Sequence, residues 1–173
     1  MRILRLAVPG IAVLLAAGCD GREAVGPTAP ALRAIGAGQV ETSGHFDANV
    51  DFTTLSLTPR GSNCLLVVKG QLVFHGTIEG VANGQTTALV FATCEEVASL
   101  PPGTDPDVFK SEAEFRGTVA GEPATAHLLY QGRVQPGGHI DGHLIFSNGV
   151  AGTLDAQAQV AVGGEYHGSL VVH

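Results

Sequence analysis

A five-residue pattern recurs along the chain and limits what it can become. Phe74-His-Gly-Thr-Ile78, Phe115-Arg-Gly-Thr-Val119 and Tyr166-His-Gly-Ser-Leu170 share the order aromatic, polar, Gly, Thr or Ser, aliphatic. Ile140-Asp-Gly-His-Leu144 and Val150-Ala-Gly-Thr-Leu154 are looser copies. Side chains alternate faces along a strand, so the aromatic, the Gly and the aliphatic residue share one face. Glycine weakens a strand, and its return at Gly76, Gly117, Gly142, Gly152 and Gly168 marks bends or close strand crossings. A sheet needs such kinks to curl shut. The expected fold is all-β: a small closed antiparallel barrel of about eight strands, up-and-down in order, which removes exposed edges.

Composition agrees with many short strands and tight turns. Glycine occurs 24 times, tryptophan not at all, and only 14% of residues are charged, while 45% are hydrophobic. Candidate strands are Glu41–Val50, Phe52–Thr58, Cys64–Gly80 (bent at Lys69-Gly70), Thr86–Cys94, Ser111–Ala120, Ala124–Val134, His139–Ser147, Val150–Val162 and Glu165–Val172. Turn signals between them are Pro59-Arg-Gly, Ala82-Asn-Gly84, Pro136-Gly-Gly, Asn148-Gly149 and Gly163-Gly164, with Asn148-Gly149 the sharpest hairpin signal. Glu95–Lys110 carries three prolines and no strand pattern, and reads as a long loop over one end of the fold. No segment from Val40 onward has a helical period.

The run from Gly70 to His173 resembles the bacterial allene-oxide-cyclase-barrel-like proteins of unknown function, a calycin-like group. The carrying segments are Phe74–Gly80, Phe115–Gly121 and the glycine-rich close Asp141-Gly142, Gly149, Gly152-Thr153-Leu154 and Gly163-Gly164. The resemblance covers about three fifths of the chain and implies an eight-stranded barrel. It implies no catalytic residues.

The N-terminus speaks of export. A basic start, Met1 to Arg5, precedes an uncharged, mostly apolar run from Leu6 to Ala17. That run is shorter than the roughly 20 apolar residues a spanning helix needs. It ends Leu14-Leu15-Ala16-Ala17-Gly18-Cys19, which resembles the bacterial lipobox, although Ala16 holds the place where leucine is usual. The expectation is a lipoprotein signal peptide over 1–18, cleavage before Cys19 and lipidation of Cys19; the alternative is an ordinary secretory signal with a chance cysteine. The expected site is the cell envelope, outside the cytoplasm, and Asp20 points mildly to the inner membrane. Residues 19–40, rich in Gly, Ala and Pro, read as a tether with a reach of order 25 Å. The barrel domain is then 41–173.

Removing Arg2 and Arg5 with the leader takes the net charge from −7 to −9. Such acidity, with no basic stripe, argues against nucleic acid as a partner. Export places Cys64 and Cys94 in an oxidising compartment, where a lone pair usually bridges; two buried thiols are the alternative. His139, Asp141 and His143 share one strand face, with His75, His127 and His167 elsewhere. Ligands along one strand lie about 6–7 Å apart and do not converge, and that face reads first as a solvated outer wall. No cofactor is expected. Glu112, Glu114, Glu95 and Glu96 carry no mark of a shifted pKa, and Ser43, Ser62 and Ser147 lack a nucleophile-elbow context. Three functions stay open. One is a non-catalytic barrel that binds a small apolar ligand or an envelope partner. The second is a cyclase- or isomerase-like enzyme for a lipid-derived substrate. The third is a structural protein with a filled core. A cavity and its lining discriminate between them.

Overall fold

Buried and exposed residues alternate along much of the strand length in the computed structural model, which describes residues 38–172. The leader, Cys19, Asp20 and nearly all of the expected tether lie outside the described residues. Eight strands form: β1 (Gln39–Arg60), β2 (Asn63–Gly76), β3 (Ile78–Val90), β4 (Asp107–Val119), β5 (Glu122–Val134), β6 (His139–Ser147), β7 (Val150–Gln159) and β8 (Gly163–Val172). Each pairs antiparallel with the next, and β8 pairs with β1, closing the barrel. The fold is therefore all-β and up-and-down, with one short helix, α1 (Cys94–Ser99), between β3 and β4.

Several of the sequence expectations need correction. Cys64–Gly80 is not one bent strand: β2 ends at Gly76 (φ +110°) and the chain turns at Thr77 into β3. Ala82-Asn-Gly84 is not a turn but the middle of β3, where Gly84 faces Ala113 across the ladder. The expected strands Glu41–Val50 and Phe52–Thr58 are one strand, β1, whose register with β2 slips between Asp51 and Ser56. The β7–β8 turn falls at 160–162, where Ala161 takes φ +58°, so Val160–Val162 leave β7 and Gly163-Gly164 open β8. The Asn148-Gly149 hairpin stands as read, with φ +61° and +122°.

Cysteines 64 and 94 form a disulfide, with Cα atoms 4.8 Å apart. The expected loop Glu95–Lys110 is not loop throughout: it holds most of α1, and Asp107–Lys110 open β4, while residues 91–94, expected at the end of a strand, lie beyond β3. The start of α1 is a capping box: Glu96 N–H donates to Thr93 Oγ1 and Thr93 N–H donates to Glu96 Oε2 at 2.8 Å. The Thr93 N–H and the Thr93 hydroxyl, both donating to Glu96 Oε2, hold the Glu96 carboxyl below its usual pKa.

The two ends of the barrel are packed differently. At one end lie β1's start and the β2–β3, β4–β5 and β6–β7 turns. Phe74 meets Phe46, Phe115, Phe146 and Tyr166 there, with ring centroids 5.8–6.2 Å apart. Ile78, Leu128, Leu144, Leu154 and Leu170 fill the rest without exposure. Glycines let the strands approach: a Cβ on Gly117 would strike the Glu79 carbonyl oxygen and lie 2.7 Å from Gly80 Cα. Gly76, Gly142, Gly152 and Gly168 are likewise crowded, each within 3.0 Å of a neighbouring atom once a Cβ is added. At the opposite end the interior is not filled.

Candidate functional site: a cavity in the open half of the barrel

Small inward residues leave the space. Ala48, Ala82, Gly84, Ala88 and Ala113 face the interior where large side chains would meet, and a cavity of about 190 Å³ remains among them. An apolar cavity of about 150 Å³ already takes up benzene in a protein core. The described cavity is therefore large enough for a molecule of roughly eight non-hydrogen atoms.

A strap covers this end. Residues 91–106 leave β3, form α1 and cross to the far rim, where Gly137 N–H donates to the Gly103 carbonyl at 3.1 Å. The disulfide fixes the near end, joining α1 to β2. Cys64, Val90 and Ala92 form a small second core there, against which Leu57, Leu66 and Val97 pack. The long loop expected over one end of the fold thus lines the cavity, through Leu100 to Asp105. Phe52, Leu55 and Leu100 also line it, yet are 49%, 38% and 43% exposed, so its rim is apolar.

The polar groups of the cavity are few. Register places Val68, Thr86, Ser111, Tyr130 and Leu144 in one cross-strand row over β2 to β6. Thr86 Oγ1 and Ser111 Oγ satisfy each other at 2.5 Å. Tyr130 lines the cavity at 5% exposure, stacked edge-on to Phe109 at 4.9 Å. Its hydroxyl meets no hydrogen-bond partner among the described residues. Burial pushes the Tyr130 pKa up, so the phenol stays protonated and a donor. Nearer the rim, Asp107 lies between Val90 and Val134 in the ladder, and its Oδ1 also lacks a partner. Burial among these neighbours pushes its pKa up to about 6.

The other candidates lie outside the barrel wall. His139, Asp141 and His143 point to solvent, in the phase opposite to buried Ile140, Gly142, Leu144 and Phe146. His139 sits 3.5 Å from Asp141, and His143 Nδ1 lies 3.0 Å from Asp155, which also faces His167 at 3.8 Å. These are exposed pairs, and no three such groups converge to hold a metal among the described residues. Glu112 pairs with Lys110 at 2.7 Å, which lowers its pKa, and Glu114 is exposed on the same outer face. Sequence reading missed Asp107 and Tyr130. Both occupy inward positions of alternating strands, and that phase was the signal available.

A scan of the chain against protein-family models found no match, and a search of curated proteins found none either.

Proposed function

We propose that this protein is a lipid-anchored, extracytoplasmic envelope protein whose barrel binds a small apolar molecule without transforming it. The cavity carries the reading: space enough for a ligand, apolar walls and an apolar rim open to solvent. Small barrels either fill their interior or hold one ligand. A structural role with a filled core has less support, because the strapped half is open. The resemblance to the allene-oxide-cyclase-barrel-like group fits the same proposal, as does the motif ending at Cys19. β1 begins at the packed end of the barrel, and the cavity mouth lies at the opposite end.

Binding is tested by melting the protein with and without saturating toluene. A ligand held by the folded state alone raises the melting temperature. Ala88→Leu, which fills the cavity, abolishes the rise; an unchanged melting temperature in the parent protein refutes binding. Anchoring is tested separately. Cys19→Ser moves the protein from the membrane to the soluble fraction, and retention after a carbonate wash refutes the anchor.

One observation favours the enzymatic alternative. Asp107 is a carboxyl that exchanges its proton near pH 6 at the cavity wall, the property of an acid/base group in a cyclase or isomerase. Under that reading Asp107→Asn abolishes turnover of the bound molecule and spares its binding.

A further inference from the structure

We infer that the cavity selects an uncharged molecule carrying one hydrogen-bonding oxygen, such as a ketone or alcohol, and rejects carboxylates of the same length. This rests on the binding function proposed above and names its ligand class.

Charge supplies the rejection. Among the described residues that line the cavity, the sole cation is Lys69, which is exposed in the outward phase of β2. The ionisable groups turned inward are Asp107 and Tyr130. The loop residue Asp105 adds a second carboxyl at the mouth. A carboxylate ligand would thus enter without a counter-ion and beside like charge. An unpaired ion in an apolar site is strongly disfavoured. The rim side chains Phe52, Leu55 and Leu100 are uncharged and do not draw an anion inward.

Hydrogen bonding supplies the selection. The Thr86 and Ser111 hydroxyls are occupied with each other. Tyr130 lines the cavity with a buried hydroxyl that finds no partner among the described residues, and burial pushes its pKa further up from the ordinary phenol value. A buried donor left unpaired costs stability, and a ligand oxygen that accepts from it recovers the loss. A purely hydrocarbon ligand fills the space and leaves Tyr130 unpaired. A ketone or alcohol does both jobs.

Titration calorimetry of the purified protein at pH 7.5 with toluene, 2-octanone and octanoate separates the possibilities. The expected result is binding of toluene and 2-octanone, with octanoate at least about tenfold weaker than the ketone. Tyr130→Phe weakens 2-octanone about three- to tenfold and leaves toluene unchanged. Octanoate within twofold of 2-octanone overturns the neutral-ligand inference and leaves ligand binding standing. Equal loss of toluene and 2-octanone in Tyr130→Phe overturns the hydrogen-bond assignment, because the change then acts on cavity shape. Tighter binding of octylamine than of 2-octanone overturns it too, moving recognition to Asp107. Absence of heat with every compound, toluene included, refutes the binding function itself.

Discussion

The two halves of the barrel each bury one tyrosine, and the chain contains only these two. Tyr166, in the packed half, is fully employed: its hydroxyl accepts from Ile78 N–H at 3.0 Å and donates to the His75 carbonyl at 3.1 Å, pinning the β2–β3 turn. Tyr130, in the strapped half, is also buried and has no partner among the described residues. Tyr166 stacks edge-on to Phe74, which in turn meets Phe46 and Phe115. Tyr130 stacks on Phe46 and Phe109, and beyond those two rings the cavity wall is largely alanine and glycine with a self-satisfied hydroxyl pair. One half is built for stability. The other leaves a donor and a carboxyl unpaired beside a void, a combination that costs stability and is kept where a site needs it.

If the strapped half is held by its staple rather than by packing, the staple carries a large effect. Opening the Cys64–Cys94 bridge, which closes a loop 30 residues long, costs about 3–4 kcal/mol in the chain-entropy model. The double variant Cys64→Ser, Cys94→Ser loses that stability in denaturant melts. Amide exchange then rises over residues 91–106 while the packed half keeps its protection. Uniform loss of protection across all eight strands would show that the halves are one cooperative unit, erasing the contrast.

Added bulk tests the same contrast from the other side. Gly117→Val drives a side chain into the Glu79 carbonyl and the Gly80 backbone, and destabilises by about 3 kcal/mol. Strand propensity alone predicts the reverse, since valine is the better strand former. Ala88→Val adds bulk toward the cavity and stays within about 1 kcal/mol of the parent, on the stabilising side. Equal losses in thermal melts of the two variants would mean that the strapped half is packed as tightly as the other.

The packed half was the more legible in the sequence. Its aromatic-Gly-aliphatic copies put Phe115, Gly117 and Val119 on one face, and all three lie on the inner wall. The first copy was legible in phase yet not in connection: Phe74 and Ile78 are both buried, but a turn at Gly76-Thr77 separates them. Alternation continues through a tight turn, so period alone does not locate it. Asn83-Gly84 failed for the opposite reason. It has turn chemistry, but Gly84 is needed in mid-strand because a Cβ there would collide with the Ala113 backbone and side chain. The helix was announced by Thr93 and Glu96 at capping-box spacing, a signal six residues of helix are too short to back with a period. The cavity was foreshadowed by alanine and glycine in the inward phase. Its polar groups were not, because the unpaired state of Tyr130 and Asp107 depends on which strands meet them.

Asp107 gives the contrast a pH dependence. Its pKa in the folded protein is about 6, above the ordinary 3.8. Between those values the folded state binds more protons than the unfolded state, so this group's contribution falls as pH rises from about 4 to about 6. Above about pH 6 the destabilisation is fully present, at about 3 kcal/mol. Asp107→Asn removes that slope from the stability–pH curve, read by denaturant melts at pH 4.5 and 7.5. An unchanged slope would show that Asp107 is solvated, and that the rim is wetter than its apolar neighbours imply.

The two tyrosines permit the finest comparison, because one substitution applies to both. Tyr166→Phe removes a hydroxyl that serves Ile78 N–H and the His75 carbonyl, leaving two backbone groups of a buried turn short of a partner. That costs about 1–2 kcal/mol. Tyr130→Phe removes a hydroxyl that serves nothing in the ligand-free protein, and the desolvation cost it carried disappears. The expected change is a gain of up to about 1 kcal/mol. Rings and packing are retained in both variants, so opposite signs in ligand-free melts isolate the hydrogen bond. Adding 2-octanone then narrows the gap: it stabilises the parent more than Tyr130→Phe, because only the parent hydroxyl has an oxygen to meet. If Tyr130→Phe destabilises the ligand-free protein as much as Tyr166→Phe does, the Tyr130 hydroxyl already has a partner. It is then a structural group, and the donor assigned to the cavity is lost.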